Sequence, residues 1–259
     1  MLSYDGSGFR GFAAQAGVPT VAGELSHAIA RSARLASAPR IVCAGRTDAG
    51  VHATGQVAHV DLPATFEGDL AHALNRQLSP RVVVRAAQPV DAGFDARRSA
   101  TSRHYRYLVW NAAVPHPLLA GLAWHVAEPL DAKAMAAATD PLLGEHDFRA
   151  FCRRPPGRPA TEPIVRRVTA AGWRRAAATW VSGDLAEEGA LLRFDVSAGS
   201  FCHQMVRSIV AVLVDAGRGR ATAATVMELL AAGSRAGSPQ PAPAYGLCLV
   251  GVDYRGPRE

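Results

Sequence analysis

The chain has 259 residues, 49% of them hydrophobic and 19% charged, which is material for one large domain or two modest ones and too apolar for a disordered chain. No apolar run reaches the length of a membrane span and the first residues lack the pattern of a signal peptide, so a soluble cytoplasmic protein is expected. The net charge is +6, with Lys133 the sole lysine, and such an arginine-borne excess favours a polyanion over an acidic small molecule.

Residues 20–36 predict a helix, with Thr20 as its cap and Leu25, Ile29 and Leu35 near one face. A short buried strand at 41–44 leads into a turn built from small residues. Residues 56–62 alternate as a half-buried strand does, 69–77 read as a helix and 81–86 as a β-branched strand. Residues 104–111, His-Tyr-Arg-Tyr-Leu-Val-Trp-Asn, alternate aromatic and charged side chains as another strand. Asp131 caps an alanine-rich helix that Gly144 ends. The stretch 153–163 is a Pro/Arg loop, followed by strands near 164–173, 180–181 and 190–197. A wide apolar stripe predicts a helix over 201–217, a second helix covers 222–232, and the chain closes on a strand at 245–254. Strands and helices interleave without the rhythm of a parallel doubly wound sheet, so the class is α+β.

Cys43, Cys152, Cys202 and Cys248 are scattered, without a Cys-x-x-Cys pair, which fits free thiols rather than a disulfide framework or a zinc site. His52, His59 and Asp61 are close in sequence, but on a loop and a strand they do not converge as metal ligands do. Between residues 97 and 175 lie Arg97-Arg98, Arg103, Arg106, Arg149, Arg153-Arg154, Arg158, Arg166-Arg167 and Arg174-Arg175, fork-shaped donors suited to phosphate oxygens.

Three residues have both a plain and a chemical reading. Asp48, in the turn Gly45-Arg46-Thr47-Asp48-Ala49-Gly50, is either a turn former or an accessible, ionised carboxylate able to act as a nucleophile. Arg207 lies inside the helix 201–217, four residues after His203 and on its face. It either snorkels from the edge of the apolar stripe or waits for a carboxylate, for which Asp48 is the outstanding candidate. Tyr105 and Tyr107 share one strand face and are either core or, beside a basic cluster, a platform for a nucleobase.

The segment Ala-Gly-Arg-Thr-Asp-Ala-Gly-Val-His-Ala-Thr-Gly-Gln-Val, residues 44–57, closely resembles the signature of the tRNA pseudouridine synthase A family. Further blocks at 4–15, 99–111, 142–151, 201–213 and 245–254 resemble that family in its own order, so the likeness covers nearly the whole chain. It implies a central, mostly antiparallel sheet with flanking helices in two similar halves around a catalytic cleft, with approximate halves 1–100 and 101–259. The implied activity is isomerisation of uridine to pseudouridine at positions 38 to 40 of the tRNA anticodon stem-loop, without a cofactor or a metal, by a homodimer. On the matching motifs Asp48 would be the nucleophile, Tyr105 would stack on the target base, Arg207 would pair with Asp48, and Leu247 would help wall the base pocket. Arg46 and His52 of the signature, Phe94, Arg97 and Arg98 of a contact segment, and Arg158 of the Pro/Arg loop would meet the RNA.

The chain departs from the family pattern in four places, one of them the loop 153–163, which matches only loosely. Gly11-Phe12-Ala13 stands where Gly-Trp-Gln is usual, and Phe94-Asp95-Ala96-Arg97-Arg98 where Phe-His-Ala-Arg-Phe is usual. Only three residues precede Tyr4, where the family usually has several more strand residues, so either the first strand is clipped or its start is misassigned. The alternative to an enzyme is a catalytically inactive tRNA-binding protein or RNA chaperone of the same fold, which would have no need of Asp48. A hydrolase of small phosphoesters fits less well, because the second acid and the metal-ligating carboxylates are missing.

Overall fold

The computed structural model describes residues 1–63, 66, 68–154, 157, 159, 161–176, 189–235 and 237–254. Two compact units emerge: Met1–Arg103 with Cys248–Glu259, and His104–Leu247. Each is α+β, a mixed sheet with helices packed on it. The strand expected at 180–181 lies outside the described residues.

In the first unit the chain runs through β1 (Leu2–Tyr4), α1 (Val21–Ser32), β2 (Val42–Cys43), β3 (His52–Gln56), β4 (Ala58–His59), α2 (Leu70–Leu78) and β5 (Val82–Val84). The long strand β6 (Ala100–Ala112) starts here, and β11 (Leu247–Tyr254) returns to this unit. The sheet order is β5-β1-β3-β11. The first two pairings are antiparallel, with Leu2 opposite Val84 and Gln56, whereas β11 lies parallel to β3 with Cys248 opposite His52. Gly55 is needed for that pairing, since a Cβ there would sit 2.3 Å from the Val250 carbonyl oxygen. β2 pairs with β4.

Helix α1 starts where Thr20, in extended backbone, accepts the Gly23 N–H, and it buries Leu25 and Ile29. Asn75 of α2 clips β5 by donating to the Val84 carbonyl at 2.9 Å and accepting its N–H at 2.7 Å. The alternating strand begins earlier than its sequence suggests. The expected 56–62 gives way to His52–Gln56, four of whose five residues are buried, followed by the short β4. Burial of both faces erases the hydrophobic alternation that the expectation relied on.

The second unit holds the rest of β6, then β7 (Trp124–Val126), α3 (Ala132–Thr139), β8 (Gly144–Asp147), β9 (Val165–Arg175), β10 (Gly189–Ala198), and two further helices, α4 (Met205–Gly217) and α5 (Ala223–Ala232). Its sheet order is β6-β10-β9-β8, with β7 parallel to β6. Pairings of β9 with β10 and β8 are antiparallel. Tyr107, Phe194, Phe148, Phe151, Met205, Ile209 and Leu213 form its fully buried core. Helix α3 packs against α4 where Gly217 clears the Met135 side chain, 2.8 Å from a hypothetical Cβ. Among the described residues no helix is long and apolar enough to cross a membrane.

Two expectations change here. The helix expected over 201–217 begins only at Met205, after Gln204 in left-handed backbone at φ 66°, so His203 is off the helix and does not share a face with Arg207. Phe201 and Cys202 instead form an irregular lead-in. The cysteines are not all free thiols: Cys152 and Cys202 are joined with their Cα atoms 5.8 Å apart, leaving Cys43 and Cys248 as thiols. A separation of 50 residues hides this proximity from any reading of local spacing.

Candidate functional site

In the first unit the signature forms a turn between β2 and β3, held from beneath by the N-terminal segment. Phe12 N–H donates to the Thr47 carbonyl at 3.1 Å and Gly50 N–H to that of Phe9 at 3.3 Å, while Val51 N–H closes the turn on the Asp48 carbonyl at 3.2 Å. Gly11, at φ 95°, allows this approach, because a Cβ there would come within 2.9 Å of the Thr47 oxygen. Part of the clearance that small residues give is therefore used by the protein's own backbone.

A buried polar chain fixes the turn further. The Tyr4 and Thr47 hydroxyls share a 2.8 Å hydrogen bond, and the Gln56 amide donates to the Tyr4 oxygen at 3.3 Å and to the Gly45 carbonyl at 2.7 Å. Gln56 is fully buried, and burial pushes the Tyr4 hydroxyl well above its ordinary pKa, so it remains neutral. Asp48 is half-buried at the tip and Arg46 is exposed beside it. His52 points inward: its Nδ1 accepts the Gly6 N–H at 3.1 Å and lies 3.1 Å from the Asp5 carboxylate, so this nitrogen braces the turn.

The contact segment is mounted on the same unit. Phe94 is half-buried against the Tyr254 ring, with centroids 5.1 Å apart, and Ala96 is held by His59 Nδ1 at 2.9 Å and by the Tyr254 hydroxyl at 2.7 Å. The Asp95 carboxylate accepts the Arg98 and Arg97 N–H groups, which hold its pKa below the usual carboxylate range. Both arginine side chains are left exposed. A groove of about 750 Å³ opens in this unit, with Arg40, Cys43, Arg46 and Arg97 on its wall. Burial pushes the Cys43 thiol up to about 11, so it is no thiolate at neutral pH.

Arg103 joins these two parts. Its buried guanidinium donates to the Ala44 carbonyl from Nε at 3.2 Å and from Nη2 at 2.9 Å, to the Arg97 carbonyl at 2.6 Å, and to the Ala100 carbonyl at 3.1 Å. Sequence counted Arg103 among polyanion contacts, whereas the structure turns it inward as a brace. Arg106 and Arg174 of the same series bind the Asp195 carboxylate, and Arg149 binds Asp147. The arginine series is thus not a uniform phosphate-binding face.

The second unit carries the other assigned residues. Tyr105 is buried in β6 with the Phe201 ring edge-on, centroids 5.1 Å apart and planes at 85°. Arg207, half-buried in the first turn of α4, donates from Nε to the Ala242 carbonyl at 2.7 Å, and Ala242 N–H donates back to the Arg207 carbonyl at 3.1 Å. Tyr107 completes this region, its hydroxyl donating to the Pro243 carbonyl at 2.8 Å. Buried Leu247 follows the tight turn Ala244–Gly246. Arg158 lies outside the described residues. Sequence reasoning missed Tyr4, Thr47, Gln56 and the bracing role of Arg103. A glutamine on an inward strand position was the one available signal.

Residues 138–255 match a family model described as tRNA pseudouridine synthase. Curated relatives agree over almost the full chain. A tRNA pseudouridine synthase A of Frankia casuarinae is 44% identical across 98% of this chain and 87% of its own length. Its counterpart from a Methylobacterium species is 44% identical across 99% and 97%. That of Bordetella petrii is 38% identical across 98% and 89%.

Proposed function

The chain belongs to the tRNA pseudouridine synthase A family, and from that premise we propose that it isomerises uridines at positions 38 to 40 of the tRNA anticodon stem-loop, with Asp48 as nucleophile. The observation that carries this reading is the build of the Asp48 turn. A buried Tyr4–Thr47–Gln56 chain, the Gly11 contact and the Arg103 brace all hold one carboxylate at a tip flanked by small residues and exposed arginine. Such pre-organisation is costly in buried polar groups, and an ordinary surface turn has no use for it.

The reaction breaks the C1′–N1 glycosidic bond, rotates the uracil and rejoins it through C5. No atom is gained or lost. A uridine within a stem must leave the stack first, and an aromatic ring replaces its lost stacking, the role given to Tyr105. Three routes use an ionised Asp48: attack at C1′, attack at C6 of the base, or removal of a ribose proton. Arg207 serves as its counter-charge in a site closed to water, where an unpaired carboxylate takes up a proton. Leu247 contributes apolar wall to the base pocket. Arg46, Arg97, Arg98 and Arg158 hold backbone phosphates, while Phe94 and His52 act through the loops they anchor. The enzyme works in the cytoplasm as a homodimer.

The deciding assay incubates the protein with unmodified tRNA and maps pseudouridine along the anticodon arm. Asp48→Asn should abolish product while tRNA binding persists. Product at wild-type rate from that variant would remove Asp48 from the chemistry. An unmodified anticodon arm after exposure to the wild-type protein would support the inactive RNA-binding alternative.

A further inference from the structure

We propose that the groove beside the Asp48 turn is a binding site for unpaired RNA, in which Arg40, Arg46 and Arg97 hold phosphates and the small residues before α1 receive ribose and base. The proposal rests on the reading of Asp48 as nucleophile, which makes the occupant the strand flanking the target uridine. The whole groove lies in the first unit. Its volume of about 750 Å³ falls within the range of ligand sites, roughly 300–1,000 Å³, and exceeds what a lone phosphate fills.

The lining divides by segment. Arg40 and Arg46 come from either side of β2, and Arg97 from the contact segment. Small apolar side chains come from Ala13, Ala14, Ala16, Val18 and Pro19, while α1 adds Glu24 and His27. Three arginines and one glutamate leave an excess of positive charge, His27 aside. All three arginines are exposed, and among the described residues no carboxylate forms an ion pair with any of them. Phosphate oxygens suit such unoccupied forks. Phe12 is buried, so the lining offers no open aromatic ring and the site should tolerate any base. A single strand presents phosphates and unstacked bases together, whereas a duplex turns its base faces inward.

The groove is set before any ligand arrives. Arg103 donates to the Arg97 carbonyl at 2.6 Å and to the Ala44 carbonyl at 2.9 Å, so one buried side chain ties together the segments that carry Arg97 and Arg46. The charges of both arginines reach the buried Cys43 thiol in the lining. The Ser26 hydroxyl donates to the Pro39 carbonyl and holds the residue before Arg40 to α1. In the loop before α1, Arg10 N–H donates to the Pro19 carbonyl at 2.8 Å and the Gln15 amide to the Arg10 carbonyl at 3.0 Å. Walls already in place lose little freedom on binding. Arg46 is two residues from Asp48, so a strand whose uridine is flipped out at the turn meets this wall next.

Fluorescence anisotropy with a labelled oligouridylate, over a range of salt concentrations, tests the site without turnover. Arg40→Ala should weaken binding about tenfold, the loss of one charge-assisted contact, and lower the slope of log K against log salt by about 0.7. Ala38→Trp leaves the charge unchanged, fills the groove from an exposed position and should weaken binding as well. Glu24→Gln removes the anionic neighbour and should tighten binding about twofold, a gain that misfolding cannot mimic. Arg76→Ala makes the same charge change on α2, outside the lining, and should bind as wild type does. These differences should vanish when the oligouridylate is annealed to oligoadenylate. Equal losses from Arg40→Ala and Arg76→Ala, unchanged binding in Ala38→Trp, or differences that persist with the duplex would each overturn the proposal. A protein that shows the expected binding series and makes no pseudouridine would refute the activity and leave the groove as a single-strand site.

Discussion

Arg103→Met is the sharpest test of how the Asp48 turn is held. The substitution keeps much of the side-chain volume and removes a guanidinium that serves three carbonyls, those of Ala44, Arg97 and Ala100. Each is a charge-assisted bond worth about 1.5 kcal/mol at the lower end, or roughly 4.5 kcal/mol in sum. Water can reach the partly exposed Arg97 and Ala100 sites and recover part of this, leaving a loss of about 3 kcal/mol dominated by the buried Ala44 oxygen. For a chain of this size the melting temperature should fall by about 6–12 °C. Thermal and urea denaturation provide the measurement, with single-turnover pseudouridine formation below the transition as the second readout. Arg103→Lys keeps one charge but cannot span three acceptors, and should fall between the two. A melting temperature within 2 °C of wild type, a margin set by about 1 kcal/mol or less of lost stability, would refute the brace. So would full activity in a variant that melts as expected, because the turn would then not depend on it.

Other outcomes follow from single contacts. Gly246→Ala should destabilise the second unit, since its Cβ would stand 2.5 Å from Tyr107 Cζ in a ring with no room to move; an unchanged denaturation midpoint would contradict this. Asp195 tests linkage. Burial alone would raise its pKa, but hydrogen bonds and charge from Arg193 and Arg106 prevail and lower it. A depressed folded pKa means stability that is present above the ordinary carboxylate pKa and lost as pH falls through the folded value. Asp195→Asn should therefore be less stable than wild type at pH 7 and converge with it in acid below the ordinary carboxylate range. A gap that stays constant down to pH 2 would show that titration plays no part.

The fold was legible wherever local rules decide it. Thr20 and Asp131 accept N–H groups of the following turn, as their side chains and positions lead one to expect, and Asp69, read as the first helical residue, proves to be a cap as well. The helix after Thr222 gained a capping box with Thr225. What local rules cannot show is pairing between distant segments. β1, β7 and β8 are three or four residues each, too short to carry a period, and exist because longer strands offer them an edge. The helix 201–217 read four residues too early, because apolar periodicity continues through Phe201 while the backbone at Gln204 does not.

The candidate site shows the same division at the level of single side chains. Charge was countable in the sequence, but its direction was not. Arg46, Arg97 and Arg98 stay exposed, whereas Arg103 turns inward to carbonyls and Arg106, Arg174 and Arg149 are occupied by aspartates. A guanidinium already bound to a carboxylate releases fewer counterions on meeting a phosphate than a free one does. The salt dependence of tRNA affinity should accordingly respond to removal of Arg97 or Arg98, each lowering the slope of log K against log salt by about one. Removing Arg149 should leave that slope unchanged while lowering stability, because its partners, the Asp147 carboxylate and the Thr161 carbonyl, belong to the protein. Equal slopes for all three variants would mean that orientation within the fold does not sort these arginines, and that the simple count along the chain was the better guide.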